Sequence, residues 1–145
     1  MKRKFAVPTA ILFAAALFGN ATAAASGDLV VSASGFGHSD GQAIAKLFAP
    51  GDNVLAKGRW EVSAPIADGR AALVFSNVQP GSYSLVVFHD VNGNGVIDHN
   101  SLGFPAEPLG FSNNFSLGLT SGLPTFEKLR FEHGAANQRL EIRLR

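Results

Sequence analysis

Apolar and polar residues alternate along this chain in short runs separated by turn residues, and each run predicts a strand. Residues 29–34 predict the first strand, and 35–41 the turn after it. Residues 42–48 predict a second strand, with Ile44 and Phe48 on one face and Ala43, Ala45 and Leu47 on the other. Residues 49–60 read as a loop with room for one helical turn. Residues 61–66 form a weaker strand pattern, ended by the turn residues Ala67, Asp68 and Gly69, and 70–75 a stronger one. Pro80-Gly81 predicts a type II turn, with Pro fixing φ and Gly supplying a positive φ. In residues 83–90, Tyr83, Leu85 and Val87 share one face, and Val86 and Phe88 share the other. Apolar residues on both faces predict a central strand covered on both sides.

Beyond that strand the pattern lapses. Residues 102–125 have no period and contain Pro105, Pro108 and Pro124, but Phe104, Phe111 and Phe115 are enough to pack the segment. A long ordered loop is expected there. Residues 126–132 and 139–144 read as two closing strands, the last with Leu140, Ile142 and Leu144 inward and Glu141 and Arg143 outward. Seven or so short strands without a long helical pattern predict an all-β protein, a β-sandwich. The strand–turn–strand phrase from Phe75 through Pro80-Gly81 to Tyr83 resembles transthyretin-like and collagen-adhesin B-type sandwiches.

The N-terminus reads as an export leader. Lys2, Arg3 and Lys4 precede an apolar run over residues 5–18, and Ala21-Thr22-Ala23 and Ala23-Ala24-Ala25 fit a small-residue cleavage site. Cleavage after Ala25 leaves one domain, residues 26–145, with no further membrane span. Three of the twelve basic residues then leave, nine remain against eleven acidic, and the formal charge moves from +1 to −2. A mildly acidic domain without a basic run gives no footprint for nucleic acid. The chain has no Cys, so neither a disulfide nor a lipidated cysteine is available to an exported domain. The expected location is periplasmic, cell-surface or extracellular.

The one stretch with distinctive chemistry is residues 89–98. Asp90, Asn92, Asn94 and Asp98 bear side-chain oxygens at alternate positions, Gly95 follows the third, and Val96 offers a carbonyl. These are positions 1, 3, 5, 6, 7 and 9 of a calcium loop of the EF-hand type. The pattern is incomplete, because Ser101 stands where the bidentate Glu belongs. Asn100 or Glu107 is the candidate substitute. Two loop carboxylates predict weak Ca²⁺ binding, on the order of 10⁻⁴–10⁻³ M. A metal-free Asn-Gly turn explains the same residues, and both readings stay open. A helix–loop–helix is not expected, because a strand precedes the loop.

Other chemistry is thinner. His38, His89, His99 and His133 show no zinc spacing. His89 and Asp90 adjoin on a strand and point to opposite faces, so they do not form a catalytic pair. No nucleophile elbow or dinucleotide fingerprint occurs. A carboxylate pair of Glu107 with Asp90 or Asp98, and a stacking platform of Trp60 and Tyr83, rest on residue type alone.

The longer string His89-Asp90-x-Asn92-Gly93-Asn94-Gly95-x-x-Asp98-x-Asn100, continued by Gly103, Pro105, Glu107 and Gly110-Phe111-Ser112-Asn113-Asn114, resembles family 2141 of the domains of unknown function. The resemblance extends over about residues 29–144, with Pro80-Gly81-x-Tyr83 before the string and Pro124-x-Phe126 after it. It implies a small exported bacterial protein with a sandwich-like fold, and it brings no activity. The loops at 90–100 and 103–114 are expected to fold together at one end of the sandwich, where His89, Glu107, Phe111, Asn113 and Asn114 would offer a binding surface for an envelope or extracellular ligand. The leading expectation is a non-enzymatic binding or envelope accessory module stabilised by Ca²⁺. The alternatives are a hydrolase with a site near His89, Asp90 and Glu107, and a structural protein assembling through sheet edges.

Overall fold

The computed structural model describes residues 25–145, and the predicted leader lies outside them apart from Ala25. Eight strands and one short helix follow in order: β1 (Gly27–Ser34), β2 (Gln42–Phe48), β3 (Trp60–Ala64), β4 (Arg70–Val78), β5 (Gly81–Asp90), β6 (Leu109–Phe111), α1 (Phe126–Leu129), β7 (Phe131–His133) and β8 (Gln138–Arg143). One sheet has the order β4-β1-β8 and the other β3-β2-β5-β6, with β7 added to the start of β5. The protein is therefore all-β and sandwich-like.

The alternation in the sequence determines which side chains lie between the sheets. Leu29, Val31 and Ala33 of β1 pack with Ala43, Ala45 and Leu47 of β2, Leu73 and Phe75 of β4, and Tyr83, Leu85 and Val87 of β5. Neighbouring β1 pairs antiparallel with β4 and parallel with β8, in register from Leu29↔Gln138 to Ser34↔Arg143. Beside β8 the two sheets are joined, because Leu109 and Arg145 exchange backbone hydrogen bonds of 3.3 and 2.9 Å.

The outer face of the larger sheet is buried as well. Phe48 and Val86 form a second apolar cluster with Val54, Phe111 and Leu129, and Ile97, Leu109, Phe115 and Phe126 pack against it. The long segment after β5 thus folds back as a third layer, which explains why both faces of β2 and β5 are apolar.

Four details depart from the sequence reading. Residues 49–59 form turns rather than a helical turn, held by Asp52, which accepts from the Ala49 N–H at 2.8 Å and takes the Arg59 guanidinium in a two-bonded pair. Gly81 lacks the positive φ of a type II turn and opens β5; the left-handed residue is Asn77 (φ 56°), whose N–H is held by Asp28 Oδ1 at 3.0 Å. The long loop contains β6, which pairs with Val86–Phe88 of β5. The strand expected over 126–132 is α1 followed by β7, because Thr125 caps the helix by accepting from the Lys128 N–H.

Candidate functional site: a loop assembly at the end of strand β5

Strand parity separates His89 from Asp90. His89 faces inward, where its Nε2–H donates to the Asp40 carbonyl at 2.7 Å and its ring meets Phe36 edge-on. Asp90 faces outward opposite Gln42 and is fully buried. Gly41 makes room for this end of the strand: it has φ +73°, and a Cβ there would lie 2.1 Å from the Asp90 carbonyl oxygen.

The Asp90 carboxylate organises the loop that follows. Its Oδ2 accepts from Gln42 Nε2 at 2.9 Å and from the Gly95 N–H at 3.1 Å, and its Oδ1 accepts from the Asn94 N–H at 3.1 Å. Burial opposes its ionisation, but the bonds from Gln42 and from the Gly95, Asn94 and Gly93 backbone outweigh that and hold the carboxyl below its ordinary value. Asn92 Oδ1 accepts from the Asn94 N–H and Asn94 Oδ1 from the Val96 N–H, each closing a local turn. Gly93 and Gly95 supply the positive φ angles the tight winding requires.

Opposite them stands Asp98. Asn92 Nδ2 donates to its Oδ2 at 2.6 Å, and Asn94 Nδ2 reaches both its oxygens at 3.1 and 3.2 Å. Four of the six predicted ligand positions, Asp90, Asn92, Asn94 and Asp98, are thus drawn into one hydrogen-bonded set. Asn100 turns to other work: its Oδ1 accepts from the Leu102 and Phe104 N–H groups and closes the next turn. Val96 has an exposed side chain and gives its N–H to Asn94.

Glu107 ties the two loops together. Its Oε1 accepts from the Val91 N–H at 3.1 Å and its Oε2 from the Asp98 N–H at 3.2 Å. The Ala106 N–H donates to the Asp98 carbonyl at 2.8 Å, and the His89 N–H to the Pro108 carbonyl at 3.1 Å. The two loops therefore fold as one assembly at the end of β5. Phe111 lies in the outer cluster with Phe115 edge-on at 5.3 Å. Asn113 donates to the Lys128 carbonyl at 3.1 Å, and both Asn113 and Asn114 take left-handed φ angles. A cleft of about 370 Å³ runs past Glu107, Phe111, Asn114, Arg143 and Arg145.

Of the residues a hydrolase would use, His89 and Asp90 leave β5 on opposite faces, while Asp90 and Glu107 both belong to the loop assembly. His89 is held by Asp40, and both oxygens of Glu107 are bound to backbone. Among the described residues no group of three or more His, Cys, Asp and Glu side chains is placed to hold a metal; the loop's donor set relies on amides instead. Trp60 and Tyr83 meet edge-on at 6.0 Å, with Tyr83 in the core and Trp60 half-exposed. Sequence reasoning missed Gln42 and Lys46. Gln42 occurs as an unremarkable first strand residue, and its pairing with Asp90 depends on register. Lys46 was legible as a lone charge in an apolar strand, 6 % exposed in the fold.

These features define a class: a β-sandwich whose central strand ends in an Asx-rich loop clamped by a distant glutamate. The chain belongs to the bacterial family described as "Uncharacterized protein conserved in bacteria (DUF2141)", whose model matches residues 31–141. No curated protein and no solved structure matches the chain.

Proposed function

We propose that this protein is an exported, non-enzymatic binding or envelope accessory module whose loop assembly at the end of β5 is pinned by Ca²⁺. The convergence of Asp90, Asn92, Asn94 and Asp98 in one loop, already wound about the Asp90 carboxylate, carries the reading. Ca²⁺ takes six to eight oxygens at about 2.3–2.6 Å. Asp98 has both oxygens facing the two amides, so an ion entering there would replace the amide–carboxylate bonds by bonds to oxygen. The N-terminal Lys-Arg-Lys, apolar run and Ala-x-Ala sites support export. The commitment of His89 and Glu107 to holding backbone supports a binding role over hydrolysis.

Calorimetric titration of Ca²⁺ into the purified protein tests the ion, with Mg²⁺ as the control. One site with a dissociation constant on the order of 10⁻⁴–10⁻³ M is expected, lost in Asp98→Ala. Absence of Ca²⁺ heats in the parent removes the ion from the account. Cell fractionation with N-terminal sequencing tests export, and the expected mature terminus is Ser26.

A further inference from the structure

The outer layer of the larger sheet is incomplete. Between the sheet and the loops that cover it lies a groove of about 810 Å³, floored by Val86 and Phe111. That volume falls within the range of about 300–1,000 Å³ typical of small-molecule sites. Six of the ten exposed large apolar side chains of the described residues line it: Leu55, Val96, Phe104, Leu117, Leu119 and Leu123. Leu119 has no cover at all, at 103 % exposure. Scattered exposed apolar residues are ordinary, but their concentration around one concavity marks a binding surface.

One charged side chain, Lys46, is among the described residues lining the groove. It projects from the outer face of β2 with its side chain only 8 % exposed. Its ammonium sits 5.1 Å from the centre of the Phe88 ring and 3.6 Å from Glu61 Oε1, beyond hydrogen-bond length, and that oxygen already accepts from the Gly58 N–H at 3.0 Å. The ammonium has no hydrogen-bond acceptor of its own among the described residues, yet it is not sealed from water, since no buried side-chain nitrogen or oxygen there lacks a partner. A ligand carboxylate in the groove would replace that water and add a charge-assisted bond. Glu61 is the more exposed partner, at 29 %, so water can take over its charge when a head group engages Lys46.

Aliphatic walls and one cation, whose ion-pair partner Glu61 lies outside the lining, select the occupant by charge and polarity. We infer that the groove binds one long-chain carboxylate amphiphile, with its carboxylate on the Lys46 ammonium and its chain along Phe104, Leu117, Leu119 and Leu123. This deepens the binding-module reading by naming a ligand class, and it does not require the calcium loop to be occupied.

The test is calorimetric titration of the protein with dodecanoate below its micellar concentration, and with dodecyltrimethylammonium, which carries a similar chain and the opposite charge. Each titration is run in EDTA and again in Ca²⁺. Saturable one-to-one binding of dodecanoate is expected, at least tenfold tighter than the cation. Lys46→Met should abolish that preference and Lys46→Arg should keep it. Leu119→Asp, at a fully exposed position, should weaken dodecanoate binding at least tenfold without changing the melting temperature. No saturable binding, equal affinity for the two head groups, or an unchanged preference in Lys46→Met would overturn the proposal. So would binding to phosphatidylglycerol vesicles without binding to monomeric dodecanoate, which would make the patch a lipid-surface contact. Dodecanoate binding without a Ca²⁺ response keeps the groove and removes the ion, and the reverse result removes the groove alone.

Discussion

Glu107 and Asp98 are joined twice over: Glu107 Oε2 accepts the Asp98 N–H at 3.2 Å, and one residue before Glu107 the Ala106 N–H donates to the Asp98 carbonyl at 2.8 Å. With Oε1 on the Val91 N–H, a single buried carboxylate spans both ends of the Asx-rich loop. Removing it leaves two backbone donors without their acceptor. Glu107→Ala is expected to destabilise the protein by about 2–6 kcal/mol in urea denaturation, given roughly 1–3 kcal/mol for each of the two partly buried donors left unmade. Glu107→Gln should cost less, because its amide retains one acceptor oxygen. Equal losses in the two variants would show that the carboxylate does not bridge the loop in solution.

Gly41 is the steric counterpart of this clamp. Its positive φ and the closeness of the Asp90 carbonyl leave no room for a methyl group. Gly41→Ala should cost more than about 1 kcal/mol and should shift the amide resonances of residues 90–98 together. An effect confined to residues 40–42 would mean that the turn and the loop are not coupled.

Asp90 makes the fold sensitive to acid. Its folded carboxyl titrates below the ordinary 3.8. Its stabilising contribution is complete above the unfolded value and is lost as pH falls through the folded one. Asp52, brought down to about 2 by its side-chain bond to Arg59 and by the Ala49 N–H, acts in the same direction. Urea midpoints measured from pH 5 to pH 2 should fall in the parent and fall less steeply in Asp90→Asn, which starts lower at neutral pH. Parallel curves would contradict this role for Asp90.

Ser112 holds the third layer to the sheet. Its buried hydroxyl accepts from the Leu85 N–H at 2.9 Å and donates to the Leu129 carbonyl at the end of α1. Ser112→Ala should cost about 1–3 kcal/mol, with faster amide exchange at Leu85. Unchanged exchange there would place the anchor elsewhere.

The strands with long alternating patterns were legible in the sequence. Residues 42–48 form a strand with the predicted bounds, and β5 is covered on both faces as its two apolar faces require. The elements that escaped are short. In β6 and β7, three residues are too few to show a period, and both exist by pairing with β5. A local signal for α1 was present in Thr125 and Glu127, a cap and an acid in the first turn, but four helical residues give no amphipathic stripe. The Asx-rich loop was visible because its spacing is local. The roles of Glu107 and Gln42 were not, since they depend on contacts 16 and 48 residues away. Lys46 stood out in sequence only as a charge among apolar neighbours; its burial depends on Phe88 of β5 and on Gly58 and Glu61, which the loop after β2 brings against it.

Thermal unfolding of the chain from residue 26, in EDTA and in Ca²⁺, tests the proposal that the Asp90–Asp98 loop holds the ion. With free Ca²⁺ at about 100 times the dissociation constant, binding should add about 2.7 kcal/mol, a rise of several degrees in Tm that disappears in Asp98→Ala. An unchanged Tm in the parent at tens of millimolar Ca²⁺ would contradict the claim and leave the loop as a metal-free turn held by Asp90 and Glu107.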